Sequence, residues 1–314
     1  MQPSTKQRDN NWTESSLAQH IGQLKSKKMG GELIRFLQAR LADNDSVCLS
    51  CRPRLFNELG LAMLQREDIT QAIDCFEQAL NIEPDNSNAL YNLANMWLYL
   101  KEFDIALKSY SRVLLLHPGH TGALYNSALC HALSGNKETA LPLFVKVTEL
   151  EPEYAGAQFW AGECLIGSDR AQEALSFFKR ASILNPHHFE AGVGLAIASY
   201  NAKQFEEALS TCDDLLLNFD PSLLVLRIKG DCLLALDQIE EAALSHLKMA
   251  FMDFDSREFI ITRIQQLTAQ DADSARRYAQ IVFQHLPDLE FQLPVRTDCN
   301  STSCSTNIPP YADY

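Results

Sequence analysis

Residues 87–118 read SNALYNLANMWLYLKEFDIALKSYSRVLLLHP, and the spacing of their apolar residues decides the fold. Leu90, Leu93, Ala94 and Trp97 fall at i, i+3, i+4 and i+7, which places them on one face of an α-helix. Phe103, Ala106, Tyr110 and Val113 mark the inner face of a second helix in the same way. Each short amphipathic helix leaves an apolar stripe that water disfavours, so the two are expected to fold back and cover one another. Pro118 ends the second helix, because proline offers no N–H to the helical ladder and pushes the preceding residue out of the α region.

Outward from this stretch the pattern returns. Ala72, Ala106, Ala140, Ala174, Ala208 and Ala242 recur at one interval of roughly 34 residues, a spacing typical of helix-turn-helix solenoids. Pro84, Pro118, Pro152 and Pro186 follow in the same phase, and Pro221 comes one residue late. Where two helices cross closely only a small side chain fits, and a larger one overpacks the crossing by roughly 1–3 kcal/mol. Gly60, Ala94, Ala128, Gly162, Ala196 and Gly230 form a second small row. Next to that row, Leu93 gives way to Ser127, Ala161 and Lys229, which predicts weaker stacking for those units. Phe76, Tyr110, Phe144 and Phe178 are predicted to fill the space between one unit and the next. Cys212 and His246 replace them in the last two units, as if the array weakened toward its end.

This combination of period, small residues, rings and closing prolines resembles the tetratricopeptide repeat family over roughly residues 53–254. The resemblance implies an all-α, right-handed superhelical α-solenoid of helix A–turn–helix B units. It also implies that the helix A surfaces form a concave groove for an extended peptide or a partner helix. Around this array the chain is read as a disordered N-terminus (1–14), a helical hairpin and linker (15–52) joined at Gly30-Gly31, and six repeat units (53–254). A degenerate seventh repeat serving as a cap follows (255–288), its apolar face interrupted by Arg276 and Arg277, and then a disordered tail (289–314).

A net charge of −13 and a pI of about 5.1 argue against nucleic-acid or anionic-lipid partners, which need clustered Lys and Arg. No stretch approaches the roughly 18 apolar residues of a membrane span, and the first twenty residues hold no apolar run. A cytoplasmic protein with a protein or peptide partner, without membrane insertion, is therefore expected. Nine cysteines spread along helices fit a reducing compartment. No Gly-rich phosphate loop, HExxH or G-x-S-x-G is present, so neither catalytic residues nor a cofactor or metal is expected. The alternative is a thiol-based redox or metal-handling role for Cys48 and Cys51, a CxxC pair, with Cys299 and Cys304 as further thiols. Cys130, Cys164 and Cys232 share one helix A position and read as small buried hydrophobes, while His117, His120, His187 and His188 read as solvated or capping groups in turns.

The candidate binding residues come from the other face of helix A. Asn88, Tyr91, Asn92, Asn95 and Tyr99 form a stripe one turn apart that carries amides and rings where a plain solvated face would carry Lys and Glu. Asn57, Tyr125, Asn126, Phe159 and Trp160 continue it in neighbouring units. The predicted peptide-binding set is Asn57, Tyr91, Asn92, Asn95, Tyr125, Asn126 and Phe159, with amides to pair a peptide backbone and rings to grip side chains. Asn95 and Asn126 resemble the two asparagines of the carboxylate clamp in heat-shock chaperone adaptors, but Gly156 and Trp160 stand where that clamp has cations. Asn92 and Asn126 likewise resemble two rungs of the asparagine ladder in the solenoid of O-linked N-acetylglucosamine transferase.

Overall fold

The computed structural model describes residues 12–43, 49–166 and 170–292. Cys48, Cys299, Cys304 and the greater part of both predicted disordered ends lie outside the described residues. The described residues form helices and no strand, and none of the helices is long and apolar enough to cross a membrane. The chain divides into two compact units, Met1–Leu150 and Glu151–Tyr314.

The first unit holds α1 (Glu14–Ser26), α2 (Gly30–Ala42), α3 (Arg52–Leu64), α4 (Ile69–Ile82), α5 (Ser87–Tyr99), α6 (Phe103–Leu116), α7 (Thr121–Leu133) and α8 (Lys137–Leu150). Successive helices pack on each other along the chain, α3 on α4, α5 on α6 and α7 on α8 most extensively, the arrangement of an all-α solenoid. Ala72, Ala106 and Ala140 are fully buried at the crossings, as the repeat predicts. The N-terminal hairpin differs from expectation at its start and at its turn. Thr13 caps α1 by accepting from the Ser16 N–H, and Trp12 sets its ring 5.2 Å from Phe36, so order begins before Ser15. The turn between α1 and α2 lies at Lys28, whose φ of 55° is left-handed, and Gly30 and Gly31 form the first turn of α2 rather than the break.

The second unit holds α9 (Ala155–Leu165), α10 (Ala171–Leu184), α11 (Phe189–Asn201), α12 (Phe205–Asn218), α13 (Leu223–Ala235), α14 (Ile239–Met252), α15 (Ser256–Gln270) and α16 (Ala272–His285), followed by a 3₁₀ turn, Pro287–Gln292. Phe178 shows why the small row is small. A Cβ on Gly162 would lie 2.8 Å from its ring and one on Gly194 2.3 Å, so one ring fills the contact between α9 and α11, two successive helices A, and leaves no room for a methyl group at either glycine. Lys229 points away from the core and pairs with Asp213. Arg276 and Arg277 do not break the last apolar face. Ala275, Tyr278 and Val282 keep the helical spacing and are buried with Ile260, Ile264, Leu286 and Leu289, while Arg277 pairs with Glu240 at the surface. Leu289, assigned from sequence to the tail, therefore belongs to the core of the last helix pair.

Among the described residues the turn at Lys28, where the Met29 N–H donates to the Leu24 carbonyl at 3.0 Å, and five turns of the repeats share one device. Glu67, Lys101, Gly135, Lys203 and Asp237 follow a helix A and have φ of 60–83°, and in each case the next residue donates back to the carbonyl five residues before it, as Glu102 does to Trp97 at 2.8 Å. This bond closes the helix in a Schellman-type cap.

Candidate binding surface

Six of the seven predicted residues lie in the first unit, on α3, α5 and α7, and five of them are hydrogen-bonded in two sets, Asn57 with Asn92 and Asn126 with Asn95 and Tyr91. The Asn92 Nδ2 donates to the Asn57 Oδ1 at 2.8 Å. The Asn126 Nδ2 donates to the Asn95 Oδ1 at 2.8 Å and to the Tyr91 hydroxyl at 3.3 Å. The Tyr110 hydroxyl donates to the same Asn95 Oδ1 at 2.6 Å. Tyr110 is fully buried, and burial pushes its phenol well above the ordinary range, so it stays protonated and keeps the O–H that it donates to Asn95. Asn57 is 8% exposed and lies at the bottom of the array, whereas Tyr91, Asn92, Asn95, Tyr125 and Asn126 are half-buried.

This network has a consequence for chemistry. A primary amide has two N–H donors and one carbonyl acceptor with two lone pairs. Asn126 uses both donors on Asn95 and Tyr91, and Asn95 uses both lone pairs on Asn126 and Tyr110. Among the described residues no partner takes up the Oδ1 of Asn92, the Nδ2 of Asn95 or the Oδ1 of Asn126. Asn92 donates only once and so keeps an N–H as well, and the surface offers both acceptors and donors from amides held by their other bonds.

The rings have a second role that their spacing alone did not reveal. Tyr91 reaches the backbone of α7, where a Cβ on Gly122 would lie 2.7 Å from its hydroxyl, and its ring centroid is 4.9 Å from His120. Phe159, on α9 of the second unit, stands two repeat intervals further on and sits 4.8 Å from His188. His120 and His188 are N-caps, their Nδ1 atoms accepting from the N–H of Ala123 at 3.1 Å and of Ala191 at 3.0 Å. Each ring therefore rests on the residue that starts the next helix A. Tyr125 packs edge-on to Phe144 at 5.6 Å, while Asn88 and Tyr99 are exposed.

Sequence reasoning missed one polar centre entirely. In the second unit Asp231 of α13 is 2% exposed and pairs with Arg263 of α15, Nη2 to Oδ1 at 2.5 Å. His246 of α14 is fully buried beside them, its Nδ1 2.8 Å from the Tyr278 hydroxyl and its Nε2 3.6 Å from Asp231. Burial brings the imidazole down to about 4. Asp231 and Arg263 lie on helix A faces of successive pairs, about one repeat apart, and that interval was the one signal available.

Four of the six described thiols are of the inert kind, and Cys164, expected to be buried, is half-buried. Burial pushes Cys75 and Cys130 up to about 11 and Cys212 up to about 12, and raises Cys232 as well, which keeps the nucleophilic and metal-binding thiolate form away. Cys51 is buried at the start of α3.

The comparisons with known proteins agree with the repeat reading. Family models described as tetratricopeptide repeats match residues 165–229, 98–146 and 134–188, and one described as TPR repeat matches residues 60–98. No curated protein sequence matches the chain. Among solved structures, a tetratricopeptide repeat protein from Parabacteroides merdae is 20% identical with a TM-score of 0.52, the match covering 76% of this chain and 93% of that one. Pseudomonas aeruginosa pilF is 19% identical with a TM-score of 0.55, covering 67% and 97%. YrrB, described as a TPR protein with an unusual peptide-binding site, is 19% identical with a TM-score of 0.51, covering 56% and 90%. Such identities carry the fold and nothing finer. With the matched segments running from 60 to 229 and the helix pairs in register with them, the chain belongs to the tetratricopeptide repeat family.

Proposed function

We propose that this protein is a non-catalytic cytoplasmic adaptor that holds an extended peptide or a partner helix on the helix A surface of Asn57, Tyr91, Asn92, Asn95, Tyr125 and Asn126 in the first unit. The fold is that of a protein-interaction scaffold. The observation that carries the finer reading is the set of amide donors and acceptors left over on Asn92, Asn95 and Asn126 by the bonds that orient them. An extended backbone alternates donors and acceptors, so such a surface can pair with it irrespective of its side chains. The peptide-binding site named for YrrB, a protein of the same fold, supports the same use.

The test begins with peptides selected from a random display library on the full chain. Their affinity is then measured by fluorescence anisotropy for the natural protein, for Asn92→Ala with Asn126→Ala, and for Tyr125→Ala. Loss of an anchor ring is expected to cost at least about 2 kcal/mol, roughly thirtyfold in Kd, while helix content by circular dichroism holds. Equal affinity in all three proteins would place the site on another face, and loss of helicity together with binding would assign these residues to folding.

A further inference from the structure

We propose a second binding site in the first unit, at the junction of the α1–α2 hairpin with α3 and α4, whose ligand is an acidic peptide segment carrying an apolar anchor. A cavity of about 1410 Å³ opens there, lined by the C-terminal ends of α1 and α3 and the first turns of α2. Small-molecule sites occupy roughly 300–1,000 Å³, so this volume suits several residues of a chain better than a metabolite. Buried apolar side chains, Leu24, Leu33, Ile34 and Met63, line its inner part. Its exposed rim is cationic in a chain whose net charge is −13.

Lys25, Lys28, Arg35 and Arg66 line it against one carboxylate, Asp68, which already caps α4 by accepting from the Gln71 N–H. Lys25 is paired with Glu58. Lys28, Arg35 and Arg66 have no carboxylate partner among the described residues, and Arg35 bonds the Gly31 carbonyl at 3.4 Å. The first turn of α2 adds little to this field. Its N-cap, Met29, offers no side-chain acceptor to the helix. Glu32 in the same turn offsets part of the positive end of the helix dipole, so the cationic field rests on Lys28, Arg35 and Arg66. Cations around an apolar floor favour a ligand with carboxylates on its edge and an aliphatic or aromatic side chain in its middle. The site does not share a residue with the amide network, so it stands or falls apart from the function proposed above.

The probe is a fluorescein-labelled octapeptide alternating Glu and Leu, with Lys–Leu and Glu–Ser octapeptides as controls, titrated against the full chain by anisotropy. Only the Glu–Leu peptide is expected to bind. Its Kd is expected to rise about tenfold or more in a Lys28→Glu, Arg35→Glu, Arg66→Glu variant, and also on raising salt from 50 to 300 mM, as exposed charge pairs are screened. The three residues are exposed, so the variant is expected to fold, with circular dichroism as the check. Asn92→Ala with Asn126→Ala is expected to leave this binding unchanged. Equal binding of the Lys–Leu peptide, or Glu–Leu binding indifferent to the triple change, would overturn the proposal. So would a concentration-dependent dimer in sedimentation that the triple change dissolves, which would make a second copy of the chain the occupant.

Discussion

Two regions solve the same problem with different chemistry. In the first unit, helices α5, α6 and α7 meet at a buried phenol, Tyr110, whose hydroxyl enters a network of neutral amides. In the second, helices α13 to α16 meet at another buried phenol, Tyr278, which is bonded to a histidine beside a buried Asp–Arg pair. Both satisfy every helix with a polar partner inside a packed joint. They differ in what failure costs, because an amide that loses a partner leaves a dipole unpaired and an ion pair that loses a partner leaves a charge in a low-dielectric interior.

The largest expected effect follows from that difference. Arg263→Met removes the guanidinium paired with the buried Asp231 carboxylate, and is expected to destabilise the second unit by about 3–5 kcal/mol. Asn126→Ala leaves Asn95 still accepting from Tyr110 and is expected to cost only about 1 kcal/mol. Urea denaturation followed by circular dichroism measures both. Adding Asp231→Asn to Arg263→Met is expected to recover a large part of the loss, and a double variant as unstable as the single one would show that the arginine acts through packing instead of charge.

That contrast also marks where the sequence was legible. The alanine row, the small row and the closing prolines are local, repeated and insensitive to neighbours, and they gave the helices and their pairing. Asn95 and Asn126 could be placed on one stripe, but whether two amides on successive helices face a ligand or each other depends on the offset between the helices, which no spacing states. Tyr110 offered a signal, since Phe stands at its equivalents Phe76, Phe144 and Phe178 and only its hydroxyl calls for a partner. Asp231 and Arg263 offered almost none. Charged residues on a helix are ordinarily solvated, and their burial follows from the added pair α15–α16 closing over α13 and α14. His246, read as a sign of a weakening array, is the residue that lets the polar joint replace a ring.

The second prediction sharpens the comparison through pH. His246 lies at about 4 in the folded chain against an ordinary value of 6.5, lowered chiefly by burial, with Asp231 and the Arg227 carbonyl opposing the shift and the charges of Arg263 and Arg227 reinforcing it. Between these two values the unfolded chain binds more protons than the folded one. Its contribution to stability is therefore complete above about pH 6.5 and is lost as pH falls toward 4. Asparagine does not titrate, and Tyr110 is raised away from this window, so the first joint is indifferent to it. Urea midpoints between pH 7 and 4.5 should fall more steeply for the natural protein than for His246→Phe, which restores the ring of Phe178. Parallel slopes would remove His246 as the source of acid sensitivity.

The smallest effect tests what the two units share, the left-handed turn after helix A. Lys101 has φ of 62° and Asp237 φ of 60°, while Gly135 holds the equivalent place at 83°. A side chain in this region crowds the following carbonyl at a cost of roughly 1–2 kcal/mol, and glycine escapes that crowding but loses about 0.5–1 kcal/mol through greater freedom in the unfolded chain. The balance favours glycine, so Lys101→Gly is expected to raise stability by about 0.5–1 kcal/mol and Gly135→Ala to lower it by about 1 kcal/mol. Aspartate tolerates this conformation better than lysine, through local hydrogen bonds of its short side chain, so Asp237→Gly is expected to gain less than Lys101→Gly. The turns occupy the same phase in both units, and the ordering is therefore predicted by residue type alone. A larger gain at Asp237 than at Lys101 would mean that the closing helices of the second unit strain their turns, and the two regions would then differ in backbone as well as in the chemistry of their joints.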